Sequence, residues 1–433
     1  MGGMKGADIL VVSNSSGTWT ASDYYATAYI VPALDAQQDW SLTSTPIVGN
    51  GSTTFTAKRL LNTCDTFDRV FSAATFSTST IWAFGSATSL AYHGTSNRGN
   101  AQVQFIASAA AEVQPADPSD LQTIEVRMNN ITIPSNLTTY QCTHAILPNA
   151  TKYHVIRFDG LPQTKYVHHM LMYGCSSWPP TASVGDSYSC AGMDTFCQKM
   201  GFGWVPGVTT VLAPPVAGWP IGTSDSTYFA LQVHYNNPNL DAGVVDSSGF
   251  RLYYTKQLRA NDIGILTLGT GAISIPPGNA SFENPPGICP SSCTSTFPTD
   301  LTLIKTGMHM HLTGKSISTR LIRNGTEMAP LGNRSSYNFN YQGGYPVDPR
   351  TPMLMRGDTL MTTCTYDTSG LTNITKFGEA SQNEMCFDFL QYYPAMTGID
   401  LCVGVSAGLS TCTTTAIVAN FSASNGTAPL PPK

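Results

Sequence analysis

Charge is scarce in this chain: Asp, Glu, Lys and Arg make up 11% of 433 residues, against roughly 25% in ordinary soluble domains. The 22 basic and 27 acidic residues leave a net charge of -5, which excludes a broad basic surface for nucleic acid or anionic membrane. No run reaches the ~18 apolar residues of a spanning helix, so no transmembrane segment is expected. No pair of CxxC sets occurs, which removes a structural zinc module. Amphipathic periodicity never lasts beyond about three helical turns. The start, MGGMKGADILVV, has neither a basic-then-apolar leader nor the Ser or Thr of a myristoylation signal. The true beginning of the protein is therefore expected to lie upstream.

What is present reads as a secreted, turn-rich β protein. Hydrophobic residues reach 42%, with 38 glycines and 28 prolines, and the length allows two to three domains with cores of their own. QVQFIAS, TIEVRM, YHVIRF, TYFALQVHY, FRLYYT and STRLIRNGTEM alternate or run apolar over strand lengths. Asn324-Gly325 inside the last is a hairpin signal. Short strands separated by Gly, Pro, Asn and Asp predict β-sandwich modules. Linkers are expected at EVQPADPSD (112–120) and SIPPGNASFENPPG (274–287), dividing the chain into 1–112, 113–272 and 273–433, with a loosely ordered tail after Thr411. Eleven cysteines accompany N-x-S/T sequons at Asn14, Asn50, Asn130, Asn136, Asn149, Asn279, Asn324, Asn333, Asn373, Asn420 and Asn425. That combination predicts an oxidising, secretory compartment, disulfides and glycosylation.

Histidines supply the chemistry. In TGMHMHLTG, strand alternation puts His309 and His311 on one face and Met308, Met310 and Leu312 on the other. Two imidazoles at a spacing fixed by backbone begin a transition-metal site, although a pair of hydrogen-bonded surface histidines is the alternative. In TYFALQVHY, His234 shares a face with Tyr228, Ala230 and Gln232, opposite Phe229, Leu231, Val233 and Tyr235. His168 and His169 are adjacent, so both can serve one metal only if their strand twists or bulges. His93, His144 and His154 stand singly and read as ordinary hydrogen-bonded residues. Met385 in QNEMCFDFLQYYP offers a thioether, which beside imidazole favours copper over zinc.

Seven ordered motifs carry a resemblance over about Asp120 to Cys402: VHHM with its following Cys175, LQVHYNN, DSSGFRLYYTKQLR, HMHLTGK, DTLMTTCTY, and NEMCFDFLQYYP with IDLC. Together they resemble the copper type II, ascorbate-dependent monooxygenases, and the dopamine β-monooxygenase-like branch more than the peptidylglycine α-hydroxylating one. GADILVV, DYYATAY, DAQQDWSL, AKRLLNTCD and IWAFG resemble the later part of a DOMON domain whose first strands are missing. The fold implied is all-β: a partial DOMON β-sandwich followed by two jelly-roll-like β-sandwich copper domains meeting at a cleft.

The resemblance implies two copper ions per chain. His168, His169 and His234 would hold the electron-transfer copper, and His309, His311 and Met385 the oxygen-binding, catalytic one, with ascorbate as reductant and O2 as co-substrate. It also implies the pairs Cys142-Cys190, Cys175-Cys197, Cys289-Cys402 and Cys364-Cys386, then Cys293-Cys412, whose tail matches less well, and leaves Cys64 unpaired. In the peptide-amidating branch an Arg and a Tyr clamp a carboxylate where this chain has Gly307 and Phe389. Alternation groups Met385, Phe387 and Phe389, so Phe387 and Phe389 either line an apolar pocket or pack the sandwich. Asp388 faces away. The expectation is hydroxylation of a C-H bond in a small aromatic or hydrophobic molecule. Peptidylglycine hydroxylation and a non-catalytic extracellular copper protein are the rivals, and no oligomeric state is indicated.

Overall fold

A computed structural model describes residues 4–413 apart from 50, 72–77, 87–88, 95–96, 104, 106–113, 180–181, 191–195, 207, 209, 224, 336, 338, 340–341, 348–349 and 407–408. The chain divides into two compact units, Met1–Ala111 and Glu112–Lys433. In the first, Asp8–Ser15 and Thr18–Tyr25 form a hairpin whose turn residues Ser16 and Gly17 both take positive φ, and Ala33–Leu34 adds a third strand. The Arg59 guanidinium lies 2.8 Å from both Asp8 and Asp68. Most of QVQFIAS, and the tail after residue 413, lie outside the described residues. Cys64 is exposed and free.

The second unit contains two β-sandwiches, each closing a core between two sheets. In the first, Gln122–Arg127, Gly249–Thr255, Lys152–Leu161, Ala217–Gly222 and Asn261–Asp262 run in that order across one sheet. Facing it are Ser187–Ser189, Thr138–Ile146, Tyr228–Asn236, Val167–Cys175 and Cys197–Trp204. Alternating apolar residues from both sheets meet around Phe158, whose ring lies 5.2 Å from those of Phe202 and Trp219. The second sandwich sets Leu301–His309, Cys386–Tyr393, Gly264–Thr270, Leu401–Ser406 and Leu409–Thr413 against a sheet centred on Gly314–Arg323 and Thr359–Tyr366. The Asn324-Gly325 turn returns the Gly314–Arg323 strand to Thr326–Glu327, with φ of 50° and 76°. The only α-helix among the described residues is Ser291–Thr294.

Two expectations need correction. Strand Gly264–Thr270 hydrogen-bonds to Cys386–Tyr393 and Leu401–Ser406, so the seam between the sandwiches precedes it rather than falling at 272/273. Composition could not place that seam, because the strand's partners lie more than a hundred residues away. SIPPGNASFENPPG is likewise no linker. Its Ser274–Ile275 pairs with Thr375–Lys376, while Phe282–Glu283 and the following Gly287–Cys289 pair with Thr359–Tyr366. Its prolines fall between these short edge pieces, where no ladder hydrogen bond is lost, and so imitate a linker.

Five disulfides are formed: Cys142–Cys190, Cys175–Cys197, Cys289–Cys402, Cys293–Cys412 and Cys364–Cys386. Cys289–Cys402 closes 113 residues within the second core. Because Cys293–Cys412 still closes nearly the same segment, replacing both by alanine releases a ring of only ~15 residues and should lower unfolding free energy by about 3 kcal/mol, the loop-closure value for that length. Urea midpoints under non-reducing conditions measure it; an unchanged midpoint would mean that the unfolded chain gains nothing from release.

Candidate metal centre

His168 and His169 stand at the start of Val167–Cys175, beside His234 on Tyr228–Asn236. The register slips between Val167 and His169: Val167 faces Tyr235, His169 faces His234, and His168 is the extra residue. This bulge turns two consecutive side chains towards one point. The three rings lie 4.7 to 5.3 Å apart, and one nitrogen from each falls within 4.8 Å of the others. All three residues are buried.

Hydrogen bonds select the inward atoms. His168 Nε2 donates to the carbonyl of Phe339 at 3.1 Å, which leaves Nδ1 as its lone-pair nitrogen, and that Nδ1 lies 3.2 Å from His169 Nδ1. His234 Nε2 meets Ser381 Oγ at 3.3 Å, while its Nδ1 is buried without a partner. An orphaned buried nitrogen beside two convergent ones fits a metal cradle, since burial without compensation is otherwise costly. Tyr140, opposite His234 in register, stacks on it at 4.3 Å and donates its hydroxyl to the Glu379 carbonyl.

The second set uses the other ring nitrogen. His309 Nδ1 donates to Gln342 Oε1 at 2.6 Å and His311 Nδ1 to the Asn383 carbonyl at 3.1 Å, leaving both Nε2 lone pairs free. Partners of this kind fix tautomer and ring orientation of a ligating histidine. Their rings lie 5.0 Å apart. Met385 just precedes Cys386–Tyr393, and continuing that register from His309 opposite Phe387 sets it beside His311. Glu384 ties the two together: Oε2 accepts the backbone N–H of His311 and of Met385, and Oε1 accepts the N–H and hydroxyl of Thr313.

Burial keeps the imidazoles neutral. Desolvation pushes His168 and His309 down to about 4 and His311 to about 3, and holds His169 and His234 well below their ordinary value. Neutral nitrogen and thioether donors suit copper, Cu(I) above all. Burial raises the Glu384 carboxyl to about 7 while its four donors pull the other way; four donated bonds to two oxygens describe a carboxylate.

The two sets touch across the seam between the sandwiches. The His169 ring lies 5.9 Å from that of His309, and Phe339 stacks on His168 at 3.9 Å while presenting its face or edge to His311 at 6.2 Å. A chain of hydrogen bonds joins them: Gln342 Nε2 donates at 2.8 Å to the same Phe339 carbonyl that His168 uses, while Gln342 Oε1 serves His309. Phe389 lies opposite Gly307, with its ring 6.4 Å from His309. Phe387 packs with Met385, Leu401 and Val403, and Asp388, on the other face, accepts from the Thr306 hydroxyl.

The single histidines are hydrogen-bonded: His93 to the Gly94 carbonyl, His144 to Tyr188, and His154 to Asp262 and the Arg259 N–H. Gln342, Phe339, Ser381 and Asn383 carry no pattern that sequence reading could use. Glu384 had one only in its position directly before Met385.

Convergent buried imidazoles on adjoining β-sandwiches define a class, that of β-sandwich proteins with a candidate metal cluster of neutral nitrogen donors. The descriptions of the copper type II ascorbate-dependent monooxygenase N-terminal and C-terminal domains match residues 124–242 and 261–411, and that of the DOMON domain matches 1–85. DBH-like monooxygenase protein 1 of Gallus gallus is 33% identical over 417 residues, covering 91% of this chain and 66% of the relative. Dopamine beta-hydroxylase of Homo sapiens is 32% identical over 429 residues, covering 93% and 67%. Tyramine beta-hydroxylase of Caenorhabditis briggsae is 33% identical over 299 residues, covering 65% and 50%. The chain thus spans about two thirds of the length of the first two of these relatives. It belongs to the copper type II ascorbate-dependent monooxygenase family and carries a DOMON domain.

Proposed function

We propose that this protein hydroxylates a C–H bond of a small, aromatic or otherwise hydrophobic molecule, using O2 and electrons from ascorbate. The observation that carries the reading is the pair of buried, neutral donor sets in ring contact. His168, His169 and His234 would hold one copper through the nitrogens that converge within 4.8 Å, and His309, His311 and Met385 the other. Bound copper would supply one-electron redox chemistry and O2 activation. The chain's own residues do the rest: Gln342, Asn383 and Ser381 orient the rings, Glu384 holds His311 and Met385 in register, and Phe339 and Tyr140 exclude water from the cluster.

Phe389 beside His309 supports an apolar substrate surface. Phe387 faces the same way yet is mostly engaged in packing. Gly307 and Phe389 offer neither cation nor hydroxyl to a peptide carboxylate next to His309, which speaks against a glycine-extended peptide. Five disulfides fit a protein that folds in the secretory pathway.

Copper content and ascorbate-dependent O2 uptake of the full chain test this, with phenylethylamines, neutral alkylbenzenes and a glycine-extended peptide compared. About two coppers per chain and uptake coupled to an aromatic substrate are expected. No copper at all would overturn the reading. Full loading with no coupled turnover on any of them would favour a copper-binding protein without this activity.

A further inference from the structure

The sheet face that carries His309 also carries an uncompensated cation. Lys305 and Gly307 precede His309 at two-residue steps on one strand, and opposite them stand Gln391, Phe389 and Phe387. Side chains at two-residue steps share a face, so all six belong to the surface turned towards the first sandwich. Lys305 is only partly buried, yet it makes no hydrogen bond or ion pair among the described residues, and no charged group acts on it. Gln391 is 9% exposed, and its Oε1 is buried without a partner.

Two glycines flank the path between. A methyl group at Gly307 would touch only Phe389, and one at Gly344 would meet Lys305 Cδ at 3.4 Å and Cε at 3.8 Å. Strand Tyr345–Pro346 pairs with Lys305 and Thr306, so Gly344 continues opposite Gly307. The Lys305 stem therefore passes over Gly344, which stands opposite Gly307, the residue between Lys305 and His309 on the same face. Burial alone pushes its ammonium down to about 8, so it stays charged at neutral pH.

We propose that Lys305 anchors an anionic group of the substrate, a carboxylate in the first instance, and so sets specificity for an arylalkanoic acid rather than an arylalkylamine. Gln391 borders this subsite, where only its amide N–H groups can serve an anion, its Oε1 being an acceptor, and Gly307 and Phe389 seat the apolar body between it and His309. The subsite rests on the reading above that this face meets substrate. Along a strand the α carbons of Lys305 and His309 are ~13 Å apart, two residues beyond the clamp position at Gly307, so a longer ligand is selected. With Asp388 turned to the opposite face, no carboxylate among the described residues of this strand surface attracts an amine, and Lys305 repels one.

The test uses 4-phenylbutyrate and its primary amide, with the full chain as wild type, Lys305→Met and Lys305→Arg. On copper-loaded protein, the ratio of KM for the acid to KM for the amide should rise about 10-fold in Lys305→Met, the scale of losing a charge-assisted contact, and return towards wild type in Lys305→Arg. On copper-free protein, equilibrium dialysis should show saturable binding of the acid that weakens with salt and is lost in Lys305→Met. An unchanged ratio, or binding of acid equal in wild type and Lys305→Met, overturns the subsite. Without coupled turnover on any compound the monooxygenase reading fails, and dialysis alone still decides the subsite.

Discussion

His234→Ala and Met385→Ala should each abolish substrate-coupled O2 uptake, by at least ~100-fold, while each variant keeps about one copper per chain. The two changes should differ in which copper is lost. His234 is fully buried, with Nε2 engaged by Ser381 and Nδ1 unpartnered, so truncation removes the donor that the other two imidazoles converge with. Met385 is the proposed thioether donor beside His311, so its loss would leave two imidazoles, which hold Cu(I) less tightly than a three-donor set. X-ray absorption on the reduced protein separates the cases: a sulfur scatterer should persist in His234→Ala and vanish in Met385→Ala. Retained sulfur scattering in Met385→Ala would remove Met385 from the ligand set. Wild-type turnover in either variant would break the two-centre reading.

Glu384→Gln should be nearly as damaging although it preserves volume. Both carboxylate oxygens accept, and all four donors are fixed by backbone or by Thr313. A carboxamide must turn an NH2 group towards one pair of them, which replaces acceptance by repulsion in a buried position. His311 and Met385 then lose the brace that holds their strands in register. We expect copper affinity of the second centre to fall ~10- to 100-fold, as for loss of an orienting partner, with the first centre unaffected. Competition with a Cu(I) chelator measures both. Equal weakening of the two centres would indicate general unfolding, and unchanged affinity would show that the brace is dispensable.

Much of this was written locally. Alternation in TGMHMHLTG places His309 and His311 on one face of Leu301–His309 and its continuation, and Asn324-Gly325 makes the turn its dihedral preferences favour. A strand's faces and a tight turn depend on residues within a few positions, so a single chain read in order reveals them. The convergence of His168 with His169 was legible only as a condition. A bulge exists by comparison with a partner, and here the partner is Tyr228–Asn236, some sixty residues on.

Gly264–Thr270 makes the same point at the scale of a domain. Its sequence is that of a plain buried strand, and only its ladders with Cys386–Tyr393 and Leu401–Ser406 assign it to the second sandwich. Residue types and their short-range periods therefore determined the all-β class, the donor chemistry and the soft-metal preference. The tertiary structure alone decided which nitrogens of His168, His309 and His311 are free, how the two sets come into contact, and which groups Glu384 and Gln342 tie together. Those depend on hydrogen bonds and burial between segments far apart in the chain, which no local pattern encodes.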